Sequence, residues 1–103
     1  MRGRDNSEAR RQLHFAMSHS LRLAILKDLA EVTELSPREC AGRLGVPLAN
    51  LGYHFRVLAD CEAIVLLRTE PTGGAVKHYY RFAIKEQWAL DALGVAALEQ
   101  DDP

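Results

Sequence analysis

Cysteine is scarce: Cys40 and Cys61 stand 21 residues apart and match neither a CxxC nor a zinc-ligand spacing. Each reads as a small buried or half-buried hydrophobe, Cys40 on an inner helix face and Cys61 at a helix end. Long apolar runs are lacking too. The clearest spans only residues 63–67, far short of the roughly 20 needed to cross a bilayer, so no membrane partner is expected. The polar start MRGRDNSEARRQ has no signal-peptide h-region, which makes the cytoplasm the expected location. Repeats, low-complexity tracts and a second domain are missing. A chain of 103 residues, 48% hydrophobic and 26% charged, fits a single domain over 1–103, small enough for dimerisation to help. No nucleophile–base pair, phosphate-binding loop or carboxylate constellation stands out, so no enzyme and no cofactor are expected.

Strong positive charge is lacking as well. The formal net charge is −1, but it is unevenly spread. Residues 1–82 hold 12 Lys/Arg against 9 Asp/Glu, while residues 83–103 hold one against five. An acidic tail therefore hides a mildly basic body, the part that would face phosphate.

What the chain does have is concentrated in Ser36–Leu58. Ser36, Pro37 and Glu39 make a helix start: the hydroxyl can accept an orphan N–H, proline suits the first helical position, and Glu39 can reach back. Cys40, Ala41 and Leu44 then share one face, and Gly45 is the residue type that ends a helix in the left-handed region. Val46 and Pro47 turn the chain, and Leu51, Phe55 and Leu58 mark a second amphipathic helix. A small residue four before the turn glycine, and an apolar one six beyond it, let two helices cross closely. This is the helix-turn-helix pattern, here 36–59, and an ordinary αα-hairpin is its plainer alternative.

Two helices are expected before it. One runs about 7–17, with Ala9, Leu13, Ala16 and Met17 at helical spacing. The other runs about 21–31, with Leu21, Ala24, Ile25 and Leu29 inward and Arg22 and Lys27 outward. Ser18-His19-Ser20 separates them and can cap the second. After Leu58 the period changes. Ile64–Thr69 is β-prone, Pro71–Gly74 is turn chemistry, and Val76–Phe82 alternates, predicting an antiparallel hairpin over 64–82. Val76, His78, Tyr80 and Phe82 should share one face and Lys77, Tyr79 and Arg81 the other. A last helix, about 85–98, is apolar on more than one side, with Trp88, Ala92 and Val95 on one and Leu90, Leu93 and Ala97 on another. A partner subunit is the expected cover for the second side. The fold class is thus mainly α with a β-hairpin, a winged helix-turn-helix in the order α1-α2-α3-α4-β-β-α5.

Three phrases carry a resemblance over about residues 13–98: Met17-Ser18-His19 before Leu21–Leu26, then Leu51–Leu58 (LGYHFRVL), then Gly74–Arg81 (GAVKHYYR). Together they resemble the ArsR-type winged-helix transcriptional regulators. The resemblance implies a homodimer built on the first and last helices, binding a two-fold symmetric operator in double-stranded DNA, usually as a repressor. Three positions depart from the family pattern: Gly52 where a serine is common, Glu62 where a glycine is expected, and a wing tip, Thr72-Gly73-Gly74, without arginines.

On the second helix of the motif, Leu51, His54, Phe55 and Leu58 form the inward stripe, with Ala49, Tyr53, Arg56 and Asp60 opposite and Asn50 and Gly52 flanking. If that helix enters the major groove, Ala49 could meet a thymine methyl, Asn50 an adenine edge and Arg56 a guanine or phosphate, with Tyr53 bonding phosphate. A plain exposed role stays open for each. His54 reads as structural. In the wing, Arg68, Lys77 and the Gly73-Gly74 backbone could follow the minor groove or its phosphates. The dimer interface is expected at Leu13, Met17, Trp88, Leu90, Leu93, Val95 and Ala97. Metal sensing is not expected: Cys40 is followed only by Ala41 and Gly42, the last helix has no His, and His14 and His19 share a helix face poorly. A small organic effector near Trp88 stays open. So does a second function class, a winged-helix protein-interaction module without DNA binding.

Overall fold

The computed structural model describes residues 6–95. Its elements follow the expected order: α1 (Asn6–Ala16), α2 (Ser20–Ala30), α3 (Pro37–Leu44), a 3₁₀ turn (Leu48–Asn50), α4 (Gly52–Asp60), β1 (Ile64–Thr72), β2 (Ala75–Phe82) and α5 (Gln87–Leu93). α2 is the central post, in contact with α3, α4, α5 and β2. Its Ile25, Leu26 and Leu29 are fully buried, together with Leu51, Phe55 and Leu58 from the α4 region. Burying a side chain of this size contributes about 1.5–3 kcal/mol, so the inward stripe of α4 is held by packing on α2.

Local chemistry sets each boundary. The Ser36 hydroxyl accepts from the Glu39 N–H at 3.2 Å, and Glu39 Oε1 accepts from the Ser36 N–H at 3.1 Å. This is the expected capping box, with Pro37 at the first position of α3. Gly45 ends α3 at φ 70° and donates to Ala41 O at 2.9 Å. The next helix starts later than the periodicity implies. Leu51 offers no side-chain acceptor for a cap. The tighter bonds of the 3₁₀ turn, Asn50 N–H to Pro47 O at 3.0 Å and Leu51 N–H to Leu48 O at 2.9 Å, lead the chain into α4 instead.

α2 also differs from expectation. Arg22 does not point outward; it is 4% exposed. Its guanidinium donates to Ala16 O and Phe15 O, both at 3.0 Å, so it satisfies the last carbonyls of α1 where that helix's dipole is negative. Asp28, also buried, accepts from Arg43 Nε at 2.8 Å and tethers α2 to α3. Helical periodicity does not reveal such caps, because the acceptors lie on another element.

β1 and β2 form an antiparallel hairpin whose turn, Gly73-Gly74, has φ of 50° and 93°. Two successive positive φ values suit glycine in a tight hairpin. A bulge at Leu67 breaks the register: Leu66 pairs with Tyr80, but Arg68 pairs with Tyr79. The strict alternation expected for 76–82 is therefore modified. Tyr80 and Phe82 pack on the core. Val76 and His78, expected on the same face, are exposed, while Tyr79, expected on the opposite face, is buried. Leu35 extends the sheet by a two-bond bridge to Tyr80, both bonds 3.0 Å.

The last helix is shorter than the expected 85–98. Gly94, at φ 71°, closes α5 by donating to Asp91 O, and the Val95 N–H returns to Leu90 O. Gly94 is thus the C-terminal cap of α5. Ala97 lies outside the described residues.

Candidate nucleic-acid interface

The turn and the first two turns of α4 present one continuous exposed row. Ala49, Asn50, Gly52, Tyr53 and Arg56 are exposed, while Leu51, Phe55, Val57 and Leu58 are buried. Tyr53, at 58% exposure, is the most open large ring. Among the described residues, no ion pair engages Arg56. The row is a surface of two hydrogen-bonding side chains, one free cation and one methyl, with Gly52 leaving space between them. A Cβ on Gly52 would meet nothing within 4 Å.

His54 supports this row from beneath. Arg22 Nη1 lies 3.1 Å from His54 Nδ1. Because guanidinium only donates, Nδ1 must accept and the imidazole is neutral with its proton on Nε2. Burial, then His19, then Arg22 depress the His54 pKa below its ordinary value. The His19 ring lies tilted against that of His54 at 4.4 Å between centroids, and its own Nδ1 accepts from the Leu21 N–H as the cap of α2. The end of α1, the start of α2 and α4 therefore meet at one polar knot.

The wing candidates behave differently. Gly73 and Gly74 form the exposed tip, but Arg68 and Lys77 are both engaged within the chain. Arg68 makes a forked pair with Glu34, Nη2 to Oε2 at 2.6 Å and Nε to Oε1 at 3.1 Å. Lys77 Nζ lies 3.4 Å from Glu39 Oε2. Both cations sit over the Tyr79 ring, at 4.0 and 5.2 Å from its centroid, and the Tyr79 hydroxyl donates to Glu70 at 3.2 Å. The Arg68 hydrogen bond lowers the Glu34 pKa; Glu39 is lowered first by the Ser36 N–H and then by Lys77. Sequence reasoning missed Glu34, Glu39, Glu70 and Tyr79 as members of this cluster. No local signal links residues 34 positions apart.

Of the residues expected at a dimer interface, Leu13, Leu90 and Leu93 are buried in the chain's own core, whereas Met17, Trp88 and Val95 are partly open. Trp88 stacks on His14 at 4.4 Å and carries Arg10 over its face at 4.6 Å. A shallow groove beside it, ≈ 360 Å³, is lined by Ser7, Ala9, Arg10, Glu86 and Trp88. Cys40 contacts Asp28, with Sγ 3.5 Å from the carboxylate, and burial with that negative neighbour pushes its thiol up to about 12. No group of three or more His, Cys, Asp or Glu side chains that could hold a metal is present among the described residues. No helix there is long and apolar enough to cross a membrane.

Helix-turn-helix, bridged hairpin and closing helix together define a winged helix-turn-helix domain. Residues 17–66 match the helix-turn-helix domain family. Among solved structures, the chain is similar to HlyU from Vibrio cholerae N16961 (23% identity over 89% of this chain and 91% of that one, TM-score 0.64). It is also similar to NolR from Sinorhizobium fredii (21%, 91% and 91%, TM-score 0.60). A third is the AntR antimony-specific transcriptional repressor (21%, 91% and 83%, TM-score 0.61). At these identities the likeness is one of fold. A search among curated proteins finds no match.

Proposed function

We propose that the protein is a DNA-binding transcriptional regulator, a homodimer that recognises an inverted-repeat operator and acts as a repressor. The observation that carries this reading is the exposed row Ala49-Asn50-Tyr53-Arg56, fixed from behind by Phe55 and His54 and standing on the element that enters the major groove in such domains. Asn50 and Arg56 have the donor patterns that read adenine and guanine edges, Tyr53 reaches phosphate, and the Gly73-Gly74 tip brings backbone close to a second groove. Repression is proposed by likeness to the transcriptional repressor AntR, without that protein's antimony specificity. A second copy would be met by the open parts of Met17, Trp88 and Val95, while Leu13, Leu90 and Leu93 support that surface from inside.

The alternative, a protein-interaction module, is favoured by the exposed Val65, Leu66, Leu67 and Val76 on the hairpin. One experiment separates the two. Tyr53→Ala with Arg56→Ala should weaken binding to a duplex selected from random sequence at least about 30-fold, at about 1–3 kcal/mol per lost contact. Fluorescence anisotropy reads the loss, and sedimentation should find the dimer intact. Wild-type affinity in the double variant contradicts the recognition face proposed here.

A further inference from the structure

The hairpin of a winged helix-turn-helix domain has to be aimed, because two strands alone are a marginally stable unit. Here the aiming parts are visible. The bulge at Leu67 shifts β1 by one residue, so that Arg68, not Leu67, lies opposite Tyr79. From there Arg68 covers the Tyr79 ring and forks onto Glu34, in the segment leading into α3. Two residues along β2 from Tyr79, Lys77 reaches Glu39, whose other oxygen already closes the capping box of α3. Tyr79 is only 6% exposed. The two cations and Glu70 are what cover it. The Leu35–Tyr80 bridge lies between these anchor points. Two carboxylates from the helix-turn-helix side thus grip two cations from the hairpin side around one aromatic ring.

We propose that Arg68 and Lys77 are positioning residues rather than phosphate contacts: with Glu34, Glu39 and Tyr79 they lock the hairpin onto the start of α3 and so fix the Gly73-Gly74 tip relative to α4. The inference rests on the DNA-binding reading for its consequence, but the clamp itself is a property of the free protein. The two roles predict opposite signs for one substitution. If Arg68 served phosphate, Glu34 would be a competing anion, and Glu34→Ala would free the guanidinium and tighten binding. If Arg68 aims the hairpin, Glu34→Ala releases the hairpin and weakens binding, despite removing a negative charge near DNA.

The test uses the full chain with Glu34→Ala, Arg68→Ala and the double variant, titrated by anisotropy against a selected duplex at several salt concentrations. Expected are losses of about fivefold for each single variant, the scale of a well-formed exposed ion pair, with the double no weaker than either single. The slope of log affinity against log salt should stay at the wild-type value. Tighter binding by Glu34→Ala, or a slope shallower by about 0.9 in Arg68→Ala, the signature of one lost phosphate contact, overturns the proposal. Hydrogen exchange in the absence of DNA provides the independent arm. The Leu35 and Tyr80 amides should exchange faster in Glu34→Ala, and unchanged exchange there overturns the clamp. If the wild type binds no duplex, the regulator reading fails, and the exchange result alone still decides the clamp.

Discussion

Gly52 and Cys40 are single residues whose surroundings predict their behaviour. Gly52 occupies the first turn of α4 at an ordinary helical φ, with open space where a Cβ would go. Gly52→Ala should therefore stabilise the fold by about 0.5–1 kcal/mol, read as a higher urea midpoint at unchanged slope. Glu62 is the converse. At φ 64° it is the one non-glycine with positive φ among the described residues, holding the left-handed conformation at the end of α4 where the family pattern has glycine. That departure was legible in the sequence; its backbone consequence is now visible. Cys40 is enclosed, and its thiol, at about 12, carries almost no thiolate at neutral pH. Iodoacetamide should leave it unmodified in the native protein and alkylate it on unfolding, with mass spectrometry as the readout. Rapid native labelling would contradict its burial.

Between elements, the contacts that matter were the least legible ones. Caps written in adjacent residues, such as Ser36 with Glu39 and the terminal Gly45, follow from sequence because both partners lie within one turn. Arg22 reads as an outward residue by periodicity, yet it ties α1, α2 and α4 together through carbonyls and His54 that no spacing rule connects. Arg68 and Lys77 likewise read as free cations until the bulge at Leu67 and the carboxylates of another segment are in view. The knot at His54 makes a pH prediction. Its pKa lies below the ordinary 6.5 in the folded protein, so as pH falls through 6.5 the unfolded chain takes up a proton that the folded chain resists. Stability is then fully present above that value and declines as pH drops toward the folded pKa. His54→Gln, which can still accept from Arg22, should flatten this part of a stability–pH curve measured by urea unfolding. An unchanged curve would mean the knot is not the titrating element.

At the scale of the whole molecule, the order of elements was readable because each one announces itself by period and punctuation, and the helix-turn-helix row was readable because 100° per residue separates its faces cleanly. The last helix is shorter than its sequence pattern: apolar residues persist through Gly94, but the glycine's left-handed conformation closes α5 at Leu93. The proposed function depends on a row that is exposed, polar and short, beside a hairpin held at a fixed angle. Such a surface reads only a few base edges directly, so DNA shape and phosphate contacts should contribute much of the discrimination. The most direct measurement is selection from random duplexes with purified protein at low salt, followed by sequencing of the retained pool. Enrichment of an inverted repeat with half-site centres about one helical turn, 10–10.5 bp, or a multiple of it apart is the predicted result. A pool that stays unenriched after repeated rounds would contradict the regulator reading.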